Sequence, residues 1–214
     1  MYSCHKDNRD FLIYFIFYAA FLHTYMAILP SKGKFYRIIY KADVNISFIM
    51  AKKKNQKKAE AQAKKSAVET LRFQAHWGMK QFGEGNRFHQ LVDEELDIIV
   101  ELELAQDLLA IKSFVDGVRQ SLSAVPTKEQ GDFAKSPTAI ALGIASINEF
   151  EEISMSPTWN ELLKQKLLRI YYFDEVWYKV VDWAKANGYN TSTYLGRPIV
   201  KFGKVFVIIE RTRS

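Results

Sequence analysis

Seven lysines fall between residues 52 and 65 (Lys52, Lys53, Lys54, Lys57, Lys58, Lys64 and Lys65), with Glu60 as the lone acid among them. An ammonium group is a compact charge with three donors. A row of them suits phosphate contacts that follow a backbone and ignore base identity. The intervening alanines and glutamines permit a helix, but no apolar residue before Val68 offers a face to dock. Residues 50–67 therefore read as a flexible basic arm. Four further cations near the C-terminus, Lys201, Lys204, Arg211 and Arg213, extend the candidate phosphate-binding set.

The charge reverses between Asp93 and Asp107, where carboxylates stand at 93, 94, 95, 97, 101, 103 and 107 with no basic residue. Asp93, Asp97 and Glu101 are four residues apart, a spacing at which like charges on a helix repel by ~0.2–0.5 kcal/mol per pair. Three kinds of partner would relieve them: water and counter-ions on a solvated face, the lysine arm, or a metal held by His89, Asp93, Asp97 and Glu101. The paired Glu-x-x-His pattern of carboxylate-bridged metal bundles is missing, so no metal and no other cofactor is assigned.

Catalytic signatures are absent. There is no Gly-x-Gly-x-x-Gly, no phosphate-binding Gly-Lys-Ser or Gly-Lys-Thr, no Gly-x-Ser-x-Gly and no His-Glu-x-x-His. Cys4 is the single cysteine and lies outside the compact region; His76 and His89 read as packing residues without an orienting partner. The expectation is a protein that is not an enzyme.

The elements that must position these residues are mostly helical. Leu71, Ala75, Met79 and Phe82 form one helical stripe and Phe73 and Trp77 a second, which predicts a helix docked by two faces and ending at Gly83-Glu84-Gly85. Asn86 is the expected N-cap of a long helix from about Arg87 towards Ser123, weakened at Gly117. Within it Leu104, Leu108, Ile111, Val115, Val118 and Leu122 step by fours and threes, a seam for self-association or for an internal helix partner. The stripe of Val92, Leu96 and Ile99 slips register against this seam at Glu103. Ser136-Pro137-Thr138 and Ser156-Pro157-Thr158 read as two helix starts, the second leading through Leu162, Leu163, Leu167, Leu168, Ile170 and Tyr171.

The C-terminal unit, Tyr172 to Arg213, is the clearest signal. Phe173, Val176, Trp177, Val180, Val181 and Ala184 recur on one helical face, with Trp183 at its margin and Gly188 as the stop. The β-branched runs Ile199–Phe202 and Val205–Ile209 flank Gly203-Lys204, a two-residue hairpin turn. That turn pairs Phe202 with Val205, Val200 with Val207, Lys201 with Phe206 and Arg197 with Glu210. Helix followed by a cation-bearing hairpin resembles the outline of a winged-helix DNA reader, and equally that of any small α+β cap.

Residues 1–49 stand apart in composition. Phe11 to Leu29 is apolar for 19 residues, close to the ~20 that cross a bilayer. It reads in three ways: a membrane span that leaves the rest cytoplasmic, an upstream extension ahead of a start at Met50, or buried core. The expected organisation is an apolar segment 1–49, a basic arm 50–67, and a compact domain 68–214 that is α+β, mostly helical, with a bundle-like core and a terminal β-hairpin. With a net charge of +6, two functions follow. One is sequence-independent nucleic-acid binding or packaging through the lysines. The other is an assembly protein that self-associates through the long helix and docks its arm on an acidic protein surface, with membrane attachment through 11–29 in either case.

Overall fold

The computed structural model describes residues 33–80, 86–127, 131–146 and 157–212. The chain falls into two compact units, Met1–Ala59 and Glu60–Ser214. Helix α1 (Gly33–Met79) contributes to both. In the first unit every side chain from Met50 to Ala59 is exposed, so local helix propensity, not packing, holds this stretch. The apolar segment 11–29 lies outside the described residues. No helix among the described residues is long and apolar enough to cross a membrane.

In the second unit, α1 buries Leu71, Ala75 and Met79 completely, one side chain per turn. The second stripe does not dock: Phe73 is 69% and Trp77 60% exposed, so the helix meets the core by one face. The expected long helix is two helices, α2 (Asn86–Glu101) and α3 (Ala105–Leu122). They separate at Glu103, whose φ is +55°. Leu104 N–H bonds the Ile99 carbonyl at 2.9 Å and Glu103 N–H that of Val100 at 3.0 Å, the bonding pattern that ends a helix on a left-handed residue. The register slip in the sequence marks this break. Helix α3 runs unbroken through Gly117; a Cβ there would come within 2.6 Å of Trp183 Cη2, so glycine admits the indole.

A 3₁₀ turn (Asp132–Lys135) leads into α4 (Pro137–Ala141), where Ser136 is the N-cap and accepts from Ala139 N–H at 2.9 Å. Helix α5 (Pro157–Gln165) stops earlier than expected. Lys166 adopts φ +58°, and Leu167–Phe173 is strand β1. Leu168, Ile170 and Tyr172 point inward at period two; a short apolar run of this kind cannot be told from helix by hydrophobicity alone. Phe173 accordingly closes the strand, 44% exposed, and does not join the helix face.

Helix α6 (Asp174–Ala186) buries Val180, Val181 and Ala184 and ends at Gly188, φ +76°. The segment expected as loop holds strand β2 (Thr191–Tyr194), followed by β3 (Arg197–Phe202) and β4 (Val205–Thr212). The sheet order is β1-β4-β3-β2, with β1 parallel to β4 and the other pairs antiparallel. The hairpin register is as expected, and Arg197 Nη1 meets Glu210 Oε1 at 2.5 Å. The hairpin is not a free wing, because β3 and β4 are the two inner strands. Val200, Phe202, Val205, Val207 and Ile209 pack inward against α3 and α6. At that junction Phe114, Trp183, Tyr189 and Phe202 form an aromatic cluster with centroids 5.1 to 6.0 Å apart.

Candidate functional site

Residues 50–67, expected as a basic arm, are helical, because alanine, lysine and glutamine are all strong helix formers. In the first unit Lys52, Lys53, Lys54, Lys57 and Lys58 are exposed. The pairs Lys53–Lys57 and Lys54–Lys58 make two adjacent rows that cover roughly 140° of the helix surface. In the second unit Lys64 and Lys65 are also exposed. Lys64 bonds Glu103 at 3.0 Å. The other six lysines make no ion pair among the described residues.

The three described C-terminal cations, Lys201, Lys204 and Arg211, each have a different neighbour. Lys201 lies over the Phe206 ring at 5.5 Å, on a sheet face where Ile199 and Ile208 are buried. Arg211 pairs with Asp174 at 3.5 Å and stands 5.9 Å from the Trp177 ring; Arg213 lies outside the described residues. Lys204 bonds Glu103 at 2.7 Å, so Glu103 brings Lys204 and Lys64 together. Hydrogen bonds from these two ammonium groups hold the Glu103 carboxyl down to about 2.

The acidic run has partners on α1. Asp97 bonds Arg72 at 2.6 Å and Asp93 meets His76 at 3.1 Å, while Lys64 takes Glu103. Residue numbers fall on α1 as they rise on the acidic run, so the two segments are antiparallel. Of the seven lysines only Lys64 takes part; Arg72 and His76 supply the rest. Among the described residues no three His, Cys, Asp or Glu side chains converge as a metal site, so His89, Asp93, Asp97 and Glu101 do not form one.

Two members of the run are buried, which the sequence did not indicate. Glu95 is fully enclosed and accepts from Ser136 Oγ, from Thr138 N–H at 2.8 Å and from Trp159 Nε1 at 2.5 Å. Burial pushes its carboxyl up against the opposing pull of these donors. Asp107 accepts from Lys204 N–H at 2.9 Å, and burial raises its carboxyl likewise. Each carboxylate already holds neighbouring backbone in place, which marks it as a structural clamp.

The seam proposed for self-association is spent inside the chain. Leu104, Leu108, Ile111, Val115 and Val118 are at most 2% exposed, and Leu122 packs against the same core. A heptad-like stripe cannot distinguish a partner helix in another chain from one in its own. This packing leaves no exposed apolar stripe along this face of α3.

An open cleft of ≈ 930 Å³ was missed altogether. Its walls include Phe73 and Trp77 of α1, Lys112, Asp116 and Arg119 of α3, and Gly143. The two rings stack with centroids 6.3 Å apart and planes 24° apart, and Lys80 Nζ sits 4.8 Å from the Trp77 ring. Asp116 accepts from Lys112 and from Arg119 Nη1 at 2.9 Å, while Arg119 Nη2 donates to the Gly143 carbonyl at 2.7 Å. The four-residue spacing of Phe73 and Trp77 was the available signal; their exposure was not readable.

No protein-family model matches the chain, and no curated protein matches it.

Proposed function

We propose that this chain is a non-enzymatic nucleic-acid-binding or packaging protein that holds phosphates with the exposed lysines of α1, without regard to sequence. The observation behind it is the uncompensated row from Lys52 to Lys58. It sets five ammonium groups within ~9 Å of helix rise. Duplex DNA carries one phosphate charge per ~1.7 Å of axis over its two strands, a dense anionic surface for such a cluster of cations. Like charges four apart cost the free helix ~0.2–0.5 kcal/mol per pair, a cost that bound phosphates remove. In the second unit Lys65 is likewise unpaired among the described residues, whereas Lys64 and Lys204 are engaged by Glu103 and contribute less.

The net charge of +6 favours the same class of partner. A cytoplasmic setting goes with this reading, whether the chain starts at Met50 or is tethered through residues 11–29. Self-association through the α3 seam is the weaker proposal, since it would require opening the core.

Fluorescence anisotropy of labelled single-stranded and duplex oligonucleotides across a salt series tests the proposal. Affinity should fall by roughly two to three orders of magnitude between about 50 and about 200 mM salt, if five to six phosphates are contacted. Glutamine at Lys52, Lys53, Lys54, Lys57 and Lys58 should flatten that slope. Unchanged affinity and slope in the variant would remove the lysine row from the function.

A further inference from the structure

The cleft beside Phe73 and Trp77 has a chemistry of its own. Both rings are more than half exposed on a helix that buries Leu71, Ala75 and Met79 completely, so the apolar side chains left outside are the two largest of this stretch. They lie near-parallel, with centroids 6.3 Å apart, and both line the cleft. Two cations, Lys112 and Arg119, line the cleft against one carboxylate, Asp116, which bonds both, and a third, Lys80, stands over the Trp77 ring, so the charge around the rings is net positive. At ≈ 930 Å³ the cleft lies within the ~300–1,000 Å³ range of ligand-sized sites.

We infer that this cleft is a stacking site for a single-stranded segment of nucleic acid, with bases on Phe73 and Trp77 and phosphates beside Lys80, Lys112 and Arg119. The inference rests on the nucleic-acid reading above and names the strand form that this second site takes. In a duplex the base faces are occupied by neighbouring pairs. A single strand can lay a base on an aromatic ring, and every base has such a face, so the contact is tolerant of sequence. Lys80 covers one face of Trp77 in the free protein; as an exposed, flexible side chain it swings to the phosphate when a base takes its place. Arg119 is held by the Gly143 carbonyl and Asp116, so its position is set before binding.

Tryptophan emission of the full chain reads this site. Trp159 is fully buried and Trp177 and Trp183 are half-buried, which leaves Trp77 as the exposed reporter among the four tryptophans. Oligothymidylate should quench the wild-type emission. Trp77→Phe should abolish the quench while retaining single-strand affinity, because a ring remains. Trp77→Ala combined with Phe73→Ala should lower single-strand affinity by roughly tenfold or more while leaving duplex affinity unchanged. Salt-steep binding of both strand forms with no quench, and no effect of the alanines, overturns the stacking site and leaves the lysine reading standing. Absence of binding to either strand at low salt overturns both. Quenching by polyglutamate but not by oligothymidylate assigns the cleft to an acidic protein segment and overturns the inference.

Discussion

Asp107 Oδ2 accepts the backbone N–H of Lys204 at 2.9 Å, across 97 positions of sequence. The bond pins the first turn of α3 to the turn between β3 and β4, and it dictates the residue before the lysine. Gly203 has φ +54°, and a Cβ there would stand 2.1 Å from Asp107 Oδ1. Asp107→Ala should destabilise the fold by about 1–3 kcal/mol by orphaning the Lys204 donor. Gly203→Ala should cost at least as much, through both contact and backbone strain. Urea denaturation measures both; a neutral Gly203→Ala would mean the carboxylate can withdraw freely.

Glu95 satisfies three donors inside the core, so Glu95→Ala should cost about 3–5 kcal/mol, the range for leaving buried polar partners unpaired. Its pH behaviour has a definite sign. The folded carboxyl lies above its usual 4.5, so between that value and the raised one the folded state binds more protons than the unfolded state. Stability from this group therefore falls as pH rises through that window. Asp107, raised from 3.8, acts in the same direction. Glu103, held down to about 2, acts oppositely: its contribution is present above 4.5 and is lost as pH falls through about 2. Glu95→Gln should flatten the decline above 4.5, as read from denaturation midpoints against pH; an unaltered profile would assign the decline to other groups.

Two helical glycines should respond unequally to alanine. At Gly78 the new Cβ would meet the Ala141 carbonyl oxygen at 1.7 Å, so α1 and the end of α4 would have to separate. At Gly117 it meets Trp183 at 2.6 Å, and that ring can shift. Alanine also gains ~1 kcal/mol of helix propensity at either position. Gly78→Ala should lose about 3 kcal/mol or more, whereas Gly117→Ala should lose about 1–2 kcal/mol net. Equal melting temperatures for the two variants would contradict these approach distances.

Leu195 is 84% exposed with φ +49°, followed by Gly196 at +75°, in the two-residue turn between β2 and β3. Positive φ at both central positions suits asparagine followed by glycine, and a leucine there is strained. Leu195→Asn should stabilise the chain by about 0.5–1 kcal/mol in thermal or urea unfolding. A loss of stability would show that the side chain packs on something.

Some of the fold was legible because the signal was local. Gly188 stops α6 and Gly203-Lys204 turns the hairpin in the expected register, since each depends on the conformational reach of one or two residues. Ser136 caps its helix for the same reason. Leu167–Phe173 was misread as helix because a run of six apolar and aromatic residues around Arg169 satisfies either period; parallel pairing with β4, about forty positions away, decides for strand. Of the candidate site, the lysine row and its exposure followed from composition, and the cleft did not. Phe73 and Trp77 are as apolar as the residues they neighbour, and only the packing of Leu71, Ala75 and Met79 leaves them outside.

By itself the sequence determined where charge accumulates, which stretches prefer helix, and where the chain turns, because each is a property of neighbouring residues. Tertiary structure alone decided which apolar stripe becomes core, which two carboxylates of the acidic run are buried as clamps, and that Lys64 and Lys204 share Glu103. Those outcomes depend on which surfaces meet across long sequence separations, and burial there fixes both packing and charge.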